Sequence, residues 1–234
     1  MNTHMDTKNS NALYILAHQM RVPLTRNKWV LSTLIDDSAG AYSTEQKELF
    51  QKMYADNDRA IAMVNDLLHS DELPDELGSN RIHTNISELV KKIVGEVQLD
   101  VARKHISLTH TQSEDIPSVL ANVQNMHYVF ENLLLNAIHY TPEGGSVSVT
   151  VEHMDQGVLV SVQDTGIGIP QAEQDKIFNK FFRASNAVMV DTAGSGLGLY
   201  IIKQIIEQHG GTIRFESVEN QGSTFKVFLP GAKK

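Results

Sequence analysis

The amino-acid sequence predicts an α+β chain in two parts: an N-terminal helical hairpin, then an α/β sandwich of one mixed sheet and one layer of helices. Three observations carry that expectation. Ahead of residue 72, two segments repeat apolar residues at three-four spacing, the period of a helix face. Beyond residue 83, helical and alternating runs interleave, the pattern of a sheet covered by helices. Between them lies DELPDELGSNRI, acidic and rich in turn residues. The expected boundaries are a disordered leader over 1–10, a helical dimerisation domain over 11–72, a linker over 73–82 and a second domain over 83–231.

In chain order, MNTHMDTKNS is polar and unpatterned, hence the disordered leader. From Asn11 to about Asp37, a helical seam of Leu13, Leu16, Met20, Leu24, Leu31 and Leu34 is interrupted by Asn27, and Pro23 should kink it. DDSAGAYS is a loop, and Thr44 is the expected N-cap of a second helix carrying Phe50, Met53, Ala60, Val64 and Leu67. A two-helix seam of this size cannot cover itself, so two hairpins should pair as a homodimeric four-helix bundle.

Ile86–Arg103 reads as one helix, and Ile106–His110 and Ser118–Ala121 as short strands. Val123–Tyr140 is a second helix, and Ser146–His153 with Gly157–Asp164 a hairpin. Gln171–Phe178 is a short helix. Leu197–His209 is a longer one ended by Gly210-Gly211, and Thr212–Ser217 with Ser223–Leu229 forms a closing hairpin.

Composition excludes several functions. The net charge of −8 lacks the basic field that nucleic acid requires. With no cysteine there is neither a disulfide framework nor a thiolate metal site. No apolar run of about 18 residues occurs, so no membrane contact is expected from this chain and its place is cytoplasmic. The ten histidines are scattered, and most read as ordinary polar residues.

Four motifs stand in order between Glu131 and Gly211. In ENLLLNAIHYTPEGG, Asn132 and Asn136 are four apart and project from one helix face, where amide oxygens suit Mg²⁺. An apolar strand then ends in Asp164-Thr165-Gly166-Ile167-Gly168-Ile169-Pro170, a carboxylate able to accept from an adenine amino group beside glycines that admit a close approach. IFNKFFRA follows. Its Phe178 and Phe182 read as core, and its Lys180 and Arg183 as cations within reach of phosphate. Last, Gly194, Gly196 and Gly198 lead into a helix N-terminus, a ready anion site. RASNAVMVDTA, ahead of that loop, lacks periodicity and fits a lid.

Together these motifs resemble the N, G1, F and G2 boxes of the sensor histidine kinases of two-component systems, over roughly residues 11–231. The resemblance implies a Bergerat (GHKL-type) ATP-binding domain with ATP and Mg²⁺ as cofactors. It makes Asn132 and Asn136 the metal and phosphate contacts, Asp164 the adenine acceptor, and Tyr140 a packing partner of the base. Gly166, Gly168 and Ile169 would line the nucleotide, as would Gly194, Ser195, Gly196, Leu197, Gly198 and Leu199. His139 stands where the family commonly has a lysine, and a neutral imidazole stabilises phosphate less.

The resemblance extends to AHQMRVPLT, which matches the phospho-acceptor box. His18 projects opposite the leucine seam at about 100° per residue. Its imidazole is the nitrogen nucleophile that autophosphorylation needs. A response-regulator receiver domain would then take the phosphoryl group on an aspartate. Gln19 replaces the usual acidic neighbour; it can orient the ring by a hydrogen bond but cannot act as a base, so slower transfer is expected. Val22 replaces a water-positioning polar residue, which argues against phosphatase activity. Ile15, Val22, Thr25 and Trp29 share the outward face, fit to dock a partner or the protein's own ATP domain.

Two rival readings remain at this stage. A hydrolytic ATPase of the same superfold would carry a glutamate as general base where Asn132 stands. A nucleotide-binding scaffold without kinase activity draws support from Gln19 and His139.

Overall fold

The computed structural model describes residues 3–36, 42–71, 80–191 and 194–232, the side chains of 3–18, 55, 58, 59, 62 and 65–71 excepted. The chain divides into two compact units, Met1–Glu72 with Ala193–Leu197, and Leu73–Thr192 with Gly198–Lys234.

In the first unit, α1 (Thr3–Ile35) packs against α2 (Thr44–Asp71). α1 starts well ahead of Asn11, so the leader expected to be disordered is helical from Thr3. Nothing from Thr3 to Ser10 is proline or glycine, and an established helix extends at one hydrogen bond per residue. Pro23 lies inside α1, with helix on both sides. α2 is capped by Ser43, one residue before the expected Thr44. Ser43 Oγ accepts from Gln46 N at 3.3 Å while Gln46 Oε1 accepts from Ser43 N at 2.9 Å, a reciprocal capping box. The rest of the expected 36–43 loop falls largely outside the described residues.

Polar ties cross the hairpin: Asn57 Nδ2 donates to Leu24 O at 2.9 Å, and Lys28 Nζ sits 5.4 Å from the Tyr54 ring centre. Of the described hairpin side chains only Leu31 and Val64 are buried, whereas Met20 is 53% and Met53 48% exposed.

The second unit is a five-stranded sheet in the order β2-β4-β5-β7-β6 under a helical layer. Its strands are β2 (Ser107–Gln112), β4 (Ser146–Met154), β5 (Gly157–Asp164), β6 (Thr212–Val218) and β7 (Gly222–Pro230). β2 and β4 are parallel and the other pairs antiparallel, with Val149 opposite Val162 and Val160 opposite Val227. The covering helices are α3 (Ile86–Glu96), α5 (Val123–Tyr140) and α7 (Gly198–Gln208). A separate two-stranded sheet joins β1 (Ile82–Thr84) to β3 (Val119–Ala121), so Ile82 opens a strand where a linker was expected. Three residues are too few to show a period.

The core lies between the layers. Val147, Val149, Val151, Val158, Val160 and Val162 alternate inward from β4 and β5. They meet Ile93, Phe130 and Leu134 from above, and Ile201, Ile202, Ile205 and Ile206 of α7 are all buried. The helix expected over 86–103 breaks at Val97 (φ −87°, ψ 3°), just after Gly95, and α4 (Gln98–Arg103) follows. Its expected inner face survives the break: Ile86, Leu89, Ile93, Val97 and Val101 are all buried.

Candidate active site

The helix that carries the two asparagines is fixed at both ends. Asn122 Oδ1 accepts from Gln124 N and Asn125 N at 3.0 and 3.1 Å, satisfying two of the orphan donors that open α5. At the other end Lys104 Nζ donates to the carbonyls of Ile138 (3.0 Å), His139 (2.5 Å) and Thr141 (3.0 Å), an ammonium set against the negative end of the helix dipole. Burial holds the Lys104 amine below its ordinary pKa. Nothing in the sequence pattern pointed to Lys104.

Asn132 and Asn136 are half-buried on the same face as Leu135 and His139, which are exposed. Asn132 Nδ2 donates to Tyr128 O at 3.0 Å, one turn back, which leaves the carbonyl oxygen turned away from the helix. That oxygen lies 3.6 Å from where a Cβ on Gly198 would begin, so Asn132 and the first residue of α7 flank one spot. His139 Nε2 lies 3.5 Å from Asp191 Oδ2, and its ring meets Tyr140 edge-on at 4.9 Å.

Asp164, at the end of β5, is only 8% exposed. Its Oδ1 accepts from Gly166 N at 2.8 Å and Ser223 N at 3.2 Å. Burial pushes this carboxyl above the usual carboxylate range, and the two backbone bonds pull partly back. The glycines beside it also admit the protein's own backbone. A Cβ on Gly166 would fall 2.6 Å from Tyr140 O, and one on Gly168 (φ +60°) 2.0 Å from Val218 O. The protein's own backbone, from the end of α5 and from β6, makes the close approach in this structure.

A polar network behind this loop was not legible in the sequence. Ser217 Oγ accepts from Ile169 N (2.9 Å), donates to Gly222 O (3.1 Å) and contacts Ser223 Oγ (2.9 Å). Gln174 Nε2 donates to Ile169 O (3.0 Å) and Ser217 O (3.1 Å). These residues are isolated polar positions in chain order. The one available cue was ENQG, whose Asn220 (φ 60°) and Gly222 (φ 117°) mark a left-handed turn.

The segment expected to be a shapeless lid contains a short helix, α6 (Ser185–Val190), with Glu173 Oε2 accepting from Ser185 N at 2.8 Å. Asn186 Nδ2 ties it to the Asp164 loop through Gly168 O at 2.9 Å. Six residues are too few for a helical period to show. Of the two cations expected to reach phosphate, Lys180 Nζ sits 4.8 Å from the Tyr200 ring centre, and Arg183 donates to the carbonyls of Ala187 and Asp191. Phe178 is half-buried, edge-on to Phe215 at 5.8 Å, and Phe182 half-buried.

Asn132, Asn136, His139, Tyr140, Asp164, Gly166, Gly168, Ile169, Lys180, Arg183, Gly198 and Leu199 all belong to the second unit, where the Asn132 amide oxygen lies beside Gly198. Gly194, Ser195, Gly196 and Leu197 group with the first unit, where Leu197 N donates to Ser195 Oγ at 3.2 Å and Gly196 has φ +69°. His18 lies within α1, but its side chain, like that of Ile15, is outside those described; Gln19, Val22, Thr25 and Trp29 are exposed.

Comparison with known proteins adds two family matches. Residues 8–74 match the His Kinase A (phospho-acceptor) domain, and residues 121–233 the histidine kinase-, DNA gyrase B- and HSP90-like ATPase. The solved catalytic domain of the histidine kinase ThkA is 32% identical, covering 65% of this chain and 96% of that one, with a TM-score of 0.58. The chain belongs to the histidine kinases. Among curated histidine kinases, the adaptive-response sensory kinase SasA of Synechococcus sp. (strain JA-3-3Ab) is 32% identical over 93% of this chain. Sensor histidine kinase WalK of Bacillus subtilis (strain 168) is 29% identical over 97% of it. Full-length ShkA, solved in complex with AMPPNP, is 26% identical over 96% of this histidine kinase, with a TM-score of 0.69. The chain spans 58% of SasA, 37% of WalK and 46% of ShkA.

Proposed function

We propose that this histidine kinase binds ATP in the second unit, transfers the γ-phosphoryl group to His18, and passes it on to an aspartate of a response-regulator receiver domain. Support comes above all from Asn132. Its amide is held by Tyr128 O with the oxygen turned out beside Gly198, a neutral oxygen ligand facing a cradle that a side chain would fill. The donor set fits Mg²⁺, which prefers oxygen and keeps waters and phosphates as its other ligands. Asn132 and Asn136 would hold it, and it would supply charge neutralisation on the phosphates.

The remaining roles fall to the chain's own groups. Both backbone bonds to Asp164 land on Oδ1, so Oδ2 is the oxygen that accepts from the adenine amino group. The amides opening α7 at Gly198 and Leu199 face phosphate with the positive end of the helix dipole. A ring nitrogen of His18 attacks the γ-phosphorus through its lone pair, forming a P–N bond as the bond to the bridging oxygen of ADP breaks. In the second step a receiver carboxylate displaces the imidazole and forms an acyl phosphate. With an amide where a hydrolase keeps a carboxylate base, Asn132 cannot deprotonate water, which preserves the phosphoryl group for histidine. Exposed Met20, Val22, Trp29, Leu49 and Met53 support pairing of two hairpins into a four-helix bundle and docking of the receiver.

Incubation with γ-labelled ATP and Mg²⁺ tests the proposal. Wild type should acquire acid-labile, alkali-stable label, and His18→Ala and Asn136→Ala should not. Label that persists in His18→Ala would place the acceptor elsewhere. An unlabelled wild type that still binds nucleotide would overturn the kinase reading.

A further inference from the structure

Outside the nucleotide site, one cluster among the described residues combines ligand chemistry with ligand spacing. Glu96 ends α3, and His127 and Glu131 stand one turn apart on α5, with Glu131 directly before Asn132. One donor atom from each lies within 4.8 Å of the others. We propose that Glu96, His127 and Glu131 form a second divalent-cation site, for an ion of the zinc class, separate from the Mg²⁺ site on the asparagines.

The imidazole distinguishes this cluster from an acidic surface patch. His127 Nε2 is 2.8 Å from Glu96 Oε2, and Nδ1 is 3.6 Å from Glu131 Oε2. A neutral imidazole has one N–H and one lone pair. In that neutral ring, a carboxylate oxygen at both nitrogens makes one contact a hydrogen bond and sets the other oxygen against a lone pair. The longer separation fits the second kind. A divalent cation turns that repulsion into two ligand bonds and offsets the paired negative charges.

The donor set also selects the ion. One nitrogen and two carboxylate oxygens suit Zn²⁺, Co²⁺ or Ni²⁺, whereas Mg²⁺ and Ca²⁺ want oxygen throughout. Three protein ligands with water in the fourth place is the open tetrahedral arrangement. Ligand bonds of about 2.0–2.2 Å bring neighbouring donors to roughly 3.4 Å of each other. The glutamates are 39% and 40% exposed, at opposite ring nitrogens, and the site requires their side chains to rotate toward one of them. The competing cation is Lys92, whose Nζ lies 3.6 Å from Glu96 Oε1; it is 68% exposed and swings clear. Occupied, the site would pin the end of α3 to the turn of α5 that presents Asn132.

The test uses the untagged protein, stripped by chelator and then titrated with Co²⁺ followed by visible absorption and with Zn²⁺ followed by melting temperature. Wild type should take up one tight equivalent and melt higher. Glu96→Gln, Glu131→Gln and His127→Ala should each weaken uptake by at least about tenfold. Metal-free melting curves show separately whether each variant is folded, and Glu96→Gln keeps a hydrogen-bond partner for His127. Asn136→Ala should bind the ion as wild type does. Absence of a tight equivalent, equal uptake by all three ligand variants, or its loss in Asn136→Ala would each overturn the proposal. None of these readouts depends on kinase activity.

Discussion

Asp164 works against the fold that holds it. Its pKa is raised by burial, so the folded state binds a proton more readily than the unfolded chain does. Its contribution to stability is therefore largest at low pH and is lost as pH rises through the folded value, and at neutral pH the buried carboxylate is a liability. Asn keeps an oxygen for Gly166 N and Ser223 N without the charge. Asp164→Asn should thus melt at an equal or higher temperature at pH 7 while losing ATP affinity by about 10–100-fold, the loss of one charged hydrogen bond. Calorimetry and nucleotide titration check both halves. Gly168→Ala should behave oppositely, lowering stability by about 1–3 kcal/mol in urea unfolding, because a Cβ at φ +60° would sit 2.0 Å from Val218 O. That Gly168 matters was legible in the sequence. That it makes room for Val218, 50 positions on, was not, because local spacing says nothing about which backbone comes near.

Elements were legible where punctuation and period agreed. α5 runs from Val123 to Tyr140 as expected, since Asn122 caps it and Thr141-Pro142 cannot continue it. β5 ends on Asp164 as expected. Reading failed where a choice was tertiary or the piece short: Ser43 instead of Thr44 as cap, the break at Val97, the six residues of α6. Lys104 is the clearest omission, a residue whose three carbonyl partners are all more than thirty positions away. Lys104→Met should cost about 1–3 kcal/mol in denaturant unfolding and weaken nucleotide binding through displacement of Asn136 and His139. His209 joins two elements in the same way: Nδ1 donates to Ile205 O at 2.7 Å, and Nε2 accepts from Asn122 N at 3.2 Å. Burial holds its pKa below the ordinary value, so the neutral ring's contribution is present above about pH 6.5 and is lost as pH falls from there toward the folded value. Unfolding midpoints should drop between pH 7.5 and 5.5, and His209→Gln should flatten that slope.

At the scale of the molecule, two parts with different folding logic share one chain. The second unit buries its own core. Among the described hairpin side chains only Leu31 and Val64 are buried, and Met20 and Met53 stay half exposed. Met20→Glu with Met53→Glu should shift sedimentation from dimer to monomer and leave nucleotide affinity unchanged. The bond from Ser223 N to Asp164 Oδ1 has a further consequence, for biosynthesis. The carboxylate proposed to read adenine accepts from Ser223 of β7, the last strand of the sheet, which leaves the ribosome after every other element described here. A nascent chain halted at Asn220 has its asparagine helix and its glycine loops but an unset Asp164. It should be retained on immobilised ATP only once residues through Pro230 are free of the exit tunnel.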